Sequence, residues 1–167
     1  MAKGVYILDS EVVIVGGGPF GLMLSIELGR RNVKTLLYDA KNGTAYNPQA
    51  NATQARTMEY FRRLGIADEI RALGMPADYP TDIAYFTRHG HHELGRFELP
   101  ASSKANALVR SNQGSWTASE APHRISQKFV EPVLRRLAEA YESVTVNFGW
   151  RMTEFKEGAS SISAIFE

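Results

Sequence analysis

A glycine-rich segment between two apolar runs constrains the fold of this chain more than any other feature. Residues 16–21 read GGGPFG and contain the GxGxxG spacing. Residues 11–15 before them have the pattern of a strand buried on both faces, and residues 19–30 after them have the pattern of a helix. Residues 33–38 predict a second buried strand that ends at Asp39. The order strand, glycine turn, helix, strand predicts a βαβ unit and an α/β fold.

The glycine motif has the composition of a dinucleotide-binding turn. Gly16 permits a tight turn, Gly18 lets backbone amides approach a pyrophosphate, and Gly21 lets the helix lie close to the sheet. The helix N-terminus presents free N–H groups and a partial positive charge to the phosphates. Asp39 would accept hydrogen bonds from ribose hydroxyls, and its charge disfavours NADP. These residues leave NAD and FAD as candidates, and a fold that binds nothing at this turn is the alternative.

Composition excludes several other classes of function. The chain has 167 residues, of which 19 are basic and 18 acidic, so we expect no nucleic acid and no membrane as a partner. It contains no cysteine, which excludes disulfides and thiol catalysis, and no cluster with metal-ligand spacing, so we predict no metal site. The apolar run at residues 12–24 is too short and too rich in glycine for a membrane or secretory segment. We therefore expect a cytoplasmic protein.

Further helices and strands are predicted after the first unit. The periodicity predicts a helix at residues 53–65 that ends at Gly65, and a second helix that begins near Ser126. Residues 83–88 and 93–99 predict a hairpin. The predicted loops are residues 40–51 and 100–122, and the predicted strands of one further sheet are residues 144–148, 151–156 and 162–166.

Three stretches occur in an order and at spacings that are typical of one family. They are residues 12–21, residues 48–66 (PQANATQARTMEYFRRLGI) and residues 123–138, which begin HRISQ. In these stretches the sequence resembles the flavoprotein aromatic hydroxylases, the group that includes phenol hydroxylase, and the resemblance covers nearly the whole chain. The ARTME motif at residues 55–59 is the most specific, because many dinucleotide binders share the glycine motif.

The resemblance implies a Rossmann-like FAD-binding fold with additional β-strands. It implies FAD as the cofactor and NAD(P)H as the reductant. The loop at residues 49–53 would pass beside the isoalloxazine, Asn51 would face the reacting ring, and Gln127 would bond the flavin near its ribityl chain. The cofactor-binding residues expected from the turn and the resemblance are Gly16, Gly18, Pro19, Phe20, Gly21, Asp39, Ala40, Gln49, Asn51, Thr53, Arg56 and Gln127.

Some of these assignments have structural alternatives. Many relatives carry arginine where this chain has Gln49, which puts one charged flavin contact in doubt. Arg56 lies on a helix rich in arginine and glutamate, so an ordinary ion pair explains its presence as well as a direct flavin contact does. Gln127 lies near a helix start and could instead cap backbone amides.

The activity implied by the resemblance is hydroxylation of a small, phenol-like aromatic substrate. In this family a nicotinamide cofactor reduces FAD, O₂ reacts with the reduced flavin, and one of the two oxygen atoms is transferred to the ring. The protein supplies placement, electrostatics and exclusion of water. No residue in this sequence has the pattern of a general base, so the catalytic residues stay unassigned.

Family members run to several hundred residues and carry a later Gly-Asp motif, whereas this chain contains no Gly-Asp dipeptide. We therefore expect residues 1–167 to be a partial, truncated FAD-binding domain that retains FAD weakly or not at all in isolation. The partners to be expected are a complementing C-terminal part or a second copy in a homo-oligomer. A disulfide reductase is disfavoured by the lack of cysteine, and an amine oxidase by the ARTME motif. A non-catalytic dinucleotide-binding or interaction module derived from a monooxygenase is the alternative that stays open.

Overall fold

A computed structural model describes residues 7–47, 49–111 and 118–167, which divide between two compact units. The first unit comprises Met1–Asn47 and Val130–Glu167, and the second comprises Pro48–Phe129. In chain order the elements are β1 (Val12–Val15), α1 (Pro19–Gly29), β2 (Thr35–Asp39), β3 (Ala52–Thr53), α2 (Ala55–Arg63), α3 (Ala67–Ala72), β4 (Ile83–Phe86), β5 (Glu93–Phe97), α4 (Ser102–Ser111), β6 (His123–Arg124), α5 (Gln127–Glu139), β7 (Val144–Phe148), β8 (Met152–Glu157) and β9 (Ile162–Phe166). None of these helices has both the length and the apolar character needed to cross a membrane.

A parallel sheet in the order β1-β2-β7 organises the first unit. Helix α1 connects β1 to β2, so the predicted βαβ unit and the α/β class are confirmed. The register pairs Val15 with Tyr38 and Asp39 with Phe148, which brings the carboxyl ends of all three strands to one edge. Ligands of open α/β sheets bind at this edge.

The two strands of the βαβ unit differ in burial. Strand β2 lies between β1 and β7, and its residues from Thr35 to Tyr38 are all buried, as predicted. In β1, Ile14 is buried, whereas Val13 is 43% and Val15 is 55% exposed. Successive side chains of a strand point to opposite faces, so only one face of β1 is covered within the described part of the chain. The expectation that β1 is buried on both faces was therefore wrong.

The last three strands were predicted correctly as strands, but not in their pairing. Strand β7 joins the parallel sheet, whereas β8 and β9 form a separate antiparallel ribbon. At the end of this ribbon, the ring of Phe166 stacks on that of Tyr38 with the ring centroids 3.9 Å apart. Local periodicity predicts that a segment is extended but not which strand it pairs with, and this explains the difference.

The second unit has its core between α2 and α3, where Met58, Phe61 and Ile70 are almost fully buried. The predicted hairpin is confirmed, with β4 and β5 antiparallel and Ile83 opposite Phe97. Strands β3 and β6 form a short antiparallel ribbon that was not predicted. It joins the second and third stretches of the family resemblance within one unit.

The prediction of a loop at residues 100–122 was wrong in its first half. Helix α4 occupies Ser102–Ser111, and Ala105 within it is 1% exposed. Serine and asparagine have low helix propensity in isolation, but burial of one helix face overrides so weak a preference. Residues 112–117 of the predicted loop, like Pro48 of the second stretch, lie outside the described residues.

Candidate dinucleotide-binding site

The turn between β1 and α1 adopts a conformation that depends on two glycines. Gly16 has φ +115°, a region that residues with a side chain rarely enter, and its amide bonds the Tyr38 carbonyl oxygen at 2.7 Å. A Cβ at Gly21 would overlap the Gly16 carbonyl oxygen, so only glycine allows helix α1 to begin this close to the turn. The geometry predicted for Gly16 and Gly21 is therefore present.

The start of α1 leaves backbone amides without helical partners. The first hydrogen bond of the helix runs from the Leu22 amide to the Gly18 carbonyl oxygen at 3.0 Å, so the amides of Phe20 and Gly21 precede it. Pro19 has no N–H, and Gly18 has no side chain that could cap the helix. The first turn contains no acidic residue, and a Cβ at Gly18 would meet no atom within 4 Å. An anion such as a phosphate fits this helix start.

Asp39, at the end of β2, faces the glycine turn as the sequence predicted. Its Oδ2 accepts a 2.7 Å hydrogen bond from the Gly17 amide, and its Oδ1 accepts one of 2.7 Å from the Lys41 amide. A carboxylate has about four lone-pair sites, so both oxygens can still accept hydrogen bonds from ribose hydroxyls. The sequence did not predict the hydrogen bond from Gly17 to Asp39, although the presence of a third consecutive glycine could have indicated a special role for this residue.

The remaining residues expected in this part of the site are Pro19, Phe20 and Ala40. Pro19 is the first residue of α1, where its fixed φ suits a helix start. Phe20 is 92% exposed, and Ala40 is exposed directly after Asp39. Both lie next to the groups that would hold the diphosphate and the ribose.

In the second unit the structure brings together the residues expected beside the flavin. The Gln49 amide donates a 3.0 Å hydrogen bond to Oε1 of Gln127, and the Gln127 amide donates one of 3.0 Å to the Ala50 carbonyl oxygen. The Ile125 amide bonds the Asn51 carbonyl oxygen at 3.1 Å. The loop at residues 49–51 is therefore tied along its length to the segment that begins α5.

Asn51, Thr53 and Arg56 have protein contacts of their own, through the side chains of Asn51 and Arg56 and through the backbone of Thr53. Asn51 Oδ1 accepts a 3.0 Å hydrogen bond from Arg124 Nη1, and Thr53 pairs with His123 between β3 and β6. Arg56 is 80% exposed at its side chain and forms an ion pair with Glu59 at 3.1 Å, as in the alternative considered for it. The Gln127 side chain accepts a hydrogen bond from an amide of the loop.

Strand β6 contains a buried histidine that has charged neighbours. His123 is 5% exposed, and burial lowers its pKa to about 4, with the positive charge of Arg71 acting in the same direction. Arg71 forms a 2.8 Å ion pair with Glu120 and donates a 2.7 Å hydrogen bond to the Ala121 carbonyl oxygen. His123 is therefore neutral at physiological pH and serves the packing of this ribbon.

The buried carboxylate of Glu131 anchors the loop that follows Asp39. Glu131 in α5 is 2% exposed, and its Oε2 accepts a 2.5 Å hydrogen bond from the Ala45 amide. Sequence reasoning missed this contact, although a glutamate between the apolar Val130 and Leu134 was a signal for a buried, bonded acid.

The comparison with known proteins covers almost the whole chain. Residues 9–167 match the family described as "FAD binding domain". The chain belongs to this FAD binding domain family. FAD is therefore the cofactor class of this chain. Of the two candidates that the glycine motif left open, NAD and FAD, the family match selects FAD. The resemblance to flavoprotein hydroxylases and the Rossmann-like fold are confirmed, while the individual contacts with FAD stay predictions.

Relatives of this FAD-binding chain are flavin-dependent monooxygenases. It is 29% identical to "FAD-dependent monooxygenase apdD" of Emericella nidulans over 87% of this chain and 24% of that protein. It is 27% identical to "2,4-dichlorophenol 6-monooxygenase" of Cupriavidus pinatubonensis over 94% of this chain and 25% of that protein. The solved structure of the flavin-dependent monooxygenase PieE in complex with FAD and substrate superposes with a TM-score of 0.77 at 26% identity, over 94% of this chain and 26% of PieE. The FAD-binding chain thus spans about a quarter of each of these relatives.

Proposed function

We propose that this chain provides the FAD-binding part of a flavin-dependent monooxygenase that hydroxylates a small, phenol-like aromatic compound with NAD(P)H and O₂. The uncapped start of α1 carries the proposal, because the amides of Phe20 and Gly21 have no helical partner and Asp39 lies bonded to the same turn. Such a helix start attracts a diphosphate through its N–H groups and its dipole. The monooxygenase names of the relatives support the reaction class.

In this proposal the chain's own residues bind and orient the cofactor. The amides after Gly18 hold the diphosphate, and Asp39, followed by Ala40, accepts the ribose hydroxyls. Pro19 sets the start of the helix, and the Phe20 side chain flanks the phosphates. The residues proposed to contact the flavin portion are Gln49, Asn51, Thr53, Arg56 and Gln127. Bound FAD would supply the redox chemistry, with NAD(P)H as the source of electrons.

We further propose that residues 1–167 form part of an FAD-binding domain, not all of it. The relatives are about four times as long as the segment that they share with this chain. Catalysis would then require further polypeptide, which a complementing C-terminal part would supply; a second copy of the chain in a homo-oligomer is the other partner that we propose. The aromatic substrate would bind to that complete assembly.

Binding of FAD can be tested by substituting two glycines separately, one at the proposed site and one as a control. A Cβ at Gly18 or at Gly43 meets no atom within 4 Å, and neither glycine has a positive φ, so both tolerate a side chain in the folded protein. Gly18→Val places methyl groups where the diphosphate would lie, and Gly43→Val is the matched control. We expect calorimetric titration with FAD to show at least tenfold weaker binding for Gly18→Val only. The isolated wild-type chain is expected to bind FAD weakly, so the titrations are repeated with the complementing polypeptide present; equal affinities of the wild type and Gly18→Val there would contradict the proposal.

The reaction class needs a separate experiment. The chain is mixed with FAD, NADPH and 2,4-dichlorophenol, with and without the polypeptide that follows the matched segment in 2,4-dichlorophenol 6-monooxygenase. We expect substrate-stimulated oxidation of NADPH only in the complemented mixture, and its loss with Gly18→Val. If FAD binds but the complemented mixture shows no stimulation, the chain is a non-catalytic dinucleotide-binding module.

A further inference from the structure

The aromatic ring of Phe148, the last residue of β7, lies against the glycine turn of the first unit. In the register of the parallel sheet, Phe148 is the partner of Asp39. A Cβ placed on Gly17 would come within 3.0 Å of Phe148 Cε1, within 3.1 Å of its Cζ and within 3.1 Å of Asp39 Cβ. The Phe148 ring and the Asp39 side chain therefore meet at the same glycine.

The contact with Phe148 acts on the hydrogen bond that orients the Asp39 carboxylate. The Gly17 amide donates this bond to Asp39 Oδ2 at 2.7 Å. Glycine has no side chain of its own to pack, and its backbone has more conformational freedom than that of any other residue. The direction of the Gly17 amide therefore depends on the groups that surround the turn, and the Phe148 ring is one of them.

The Phe148 ring is itself held in place. The guanidinium of Arg135 lies over the ring with its Cζ 4.7 Å from the ring centroid, and the negative face of an aromatic ring attracts a cation at this distance. The backbone beyond Phe148 is fixed as well, because the Trp150 amide donates a 2.9 Å hydrogen bond to the Asp39 carbonyl oxygen. The ring thus presents a defined surface to the glycine turn.

We propose that Phe148 is a positioning residue for the carboxylate that binds the adenosine ribose. Its ring holds Gly17 in place, and the hydrogen bond from Gly17 keeps the Asp39 carboxylate directed at the ribose hydroxyls. The inference rests on the proposed function and deepens it, because it adds to the FAD site a residue that acts through Gly17 and Asp39. A residue that only filled space would change the stability of the unit but not its selectivity for the ribose.

The test measures this selectivity with two ligands. ADP has the diphosphate and the adenosine of FAD, and 2′,3′-dideoxy-ADP lacks the two ribose hydroxyls. Each is titrated calorimetrically into the full chain together with the complementing polypeptide of 2,4-dichlorophenol 6-monooxygenase, and that polypeptide alone is the blank. We expect the wild type to bind ADP at least about tenfold more tightly than the dideoxy analogue, because hydroxyls that donate to a carboxylate form strong hydrogen bonds.

Phe148→Leu keeps an apolar side chain but removes the ring atoms that contact Gly17. We expect this variant to bind the two ligands with affinities within about threefold of each other, because its carboxylate is no longer held toward the hydroxyls. Phe155→Leu, the same change at a residue of the same unit that is 60% exposed, should keep the selectivity of the wild type. Selectivity of the wild type in Phe148→Leu would overturn this inference alone, as would a wild type that binds both ligands equally. A wild type that does not bind ADP would overturn the proposed function as well.

A second measurement needs no ligand. Hydrogen exchange of the Gly17 amide in the full chain should be at least about fivefold faster in Phe148→Leu than in the wild type or Phe155→Leu, because the bond to Asp39 opens more often. If Phe148→Leu does not fold, Gly17→Ala tests the same contact, since its Cβ must displace the ring. We expect Gly17→Ala to lose the selectivity for ADP and Gly43→Ala, where the space is open, to keep it. Unchanged exchange in Phe148→Leu, or unchanged selectivity in Gly17→Ala, would overturn the inference.

Discussion

The amide of Gly17 donates a 2.7 Å hydrogen bond to Oδ2 of Asp39, which ties the turn after β1 to the end of β2. The two residues are 22 positions apart in the chain. The contact orients the Asp39 carboxylate toward the turn where the uncapped amides of α1 begin. It links the structure of the glycine motif directly to the residue expected to bind the ribose.

Replacing Asp39 should weaken FAD binding. Asp39→Ala removes the acceptor of both the Gly17 and Lys41 amides and the proposed partner of the ribose. We expect the affinity for FAD to fall at least about tenfold, with Asp39→Asn intermediate because its amide oxygen can still accept one bond. Calorimetric titration measures the change. Asp78→Ala, at an exposed position, is the control, and an equal loss in both alanine variants would count against the role of Asp39.

Adding a methyl group at Gly21 should destabilise the fold. The new Cβ would overlap the Gly16 carbonyl oxygen, a backbone atom that cannot rotate away. We expect Gly21→Ala to lower the free energy of unfolding in urea by about 1–3 kcal/mol. Gly43→Ala, where the space is open, should leave it nearly unchanged. Wild-type stability in Gly21→Ala would show that the close approach of α1 to the turn does not exist in solution.

The buried carboxylate of Glu131 should hold the loop after Asp39. Glu131→Gln removes the charge that strengthens the hydrogen bond from the Ala45 amide, with an expected loss of about 1–3 kcal/mol. Hydrogen exchange at Ala45 should become faster. Glu139→Gln serves as the control, because its ion pair with Arg135 is largely solvated and contributes little. Unchanged exchange at Ala45 would contradict the contact.

His123 should make stability depend on pH. Its pKa is about 4 in the folded protein and near 6.5 in the unfolded chain, so between these values the unfolded chain binds a proton that the folded protein does not. The free energy of unfolding therefore decreases as the pH falls from about 6.5 to 4, by up to about 3 kcal/mol from this residue. Urea unfolding at pH 7 and pH 4.5 should show a smaller decrease for His123→Gln than for the wild type. His91→Gln, at the exposed hairpin tip, should behave like the wild type. If the free energy of unfolding of His123→Gln decreases as much as that of the wild type, His123 is not the source of the pH dependence.

The sequence alone determined the parts of this protein that depend on neighbouring residues. The βαβ unit, the glycine turn, the position of Asp39 and the β4–β5 hairpin were all predicted, because a strand, a helix and a turn each leave a local pattern of apolar residues and glycines. The resemblance of three stretches led to the FAD-binding family for the same reason, since each motif lies within about 20 consecutive residues.

Only the tertiary structure decided which distant residues meet. The contact between Gln49 and Gln127 joins residues 78 positions apart, and that between Asn51 and Arg124 joins residues 73 apart. Helix α4 buries Ala105, and β8 pairs with β9 and not with the parallel sheet. Long-range pairing comes from packing of the whole unit, and a single sequence contains no local signal for it.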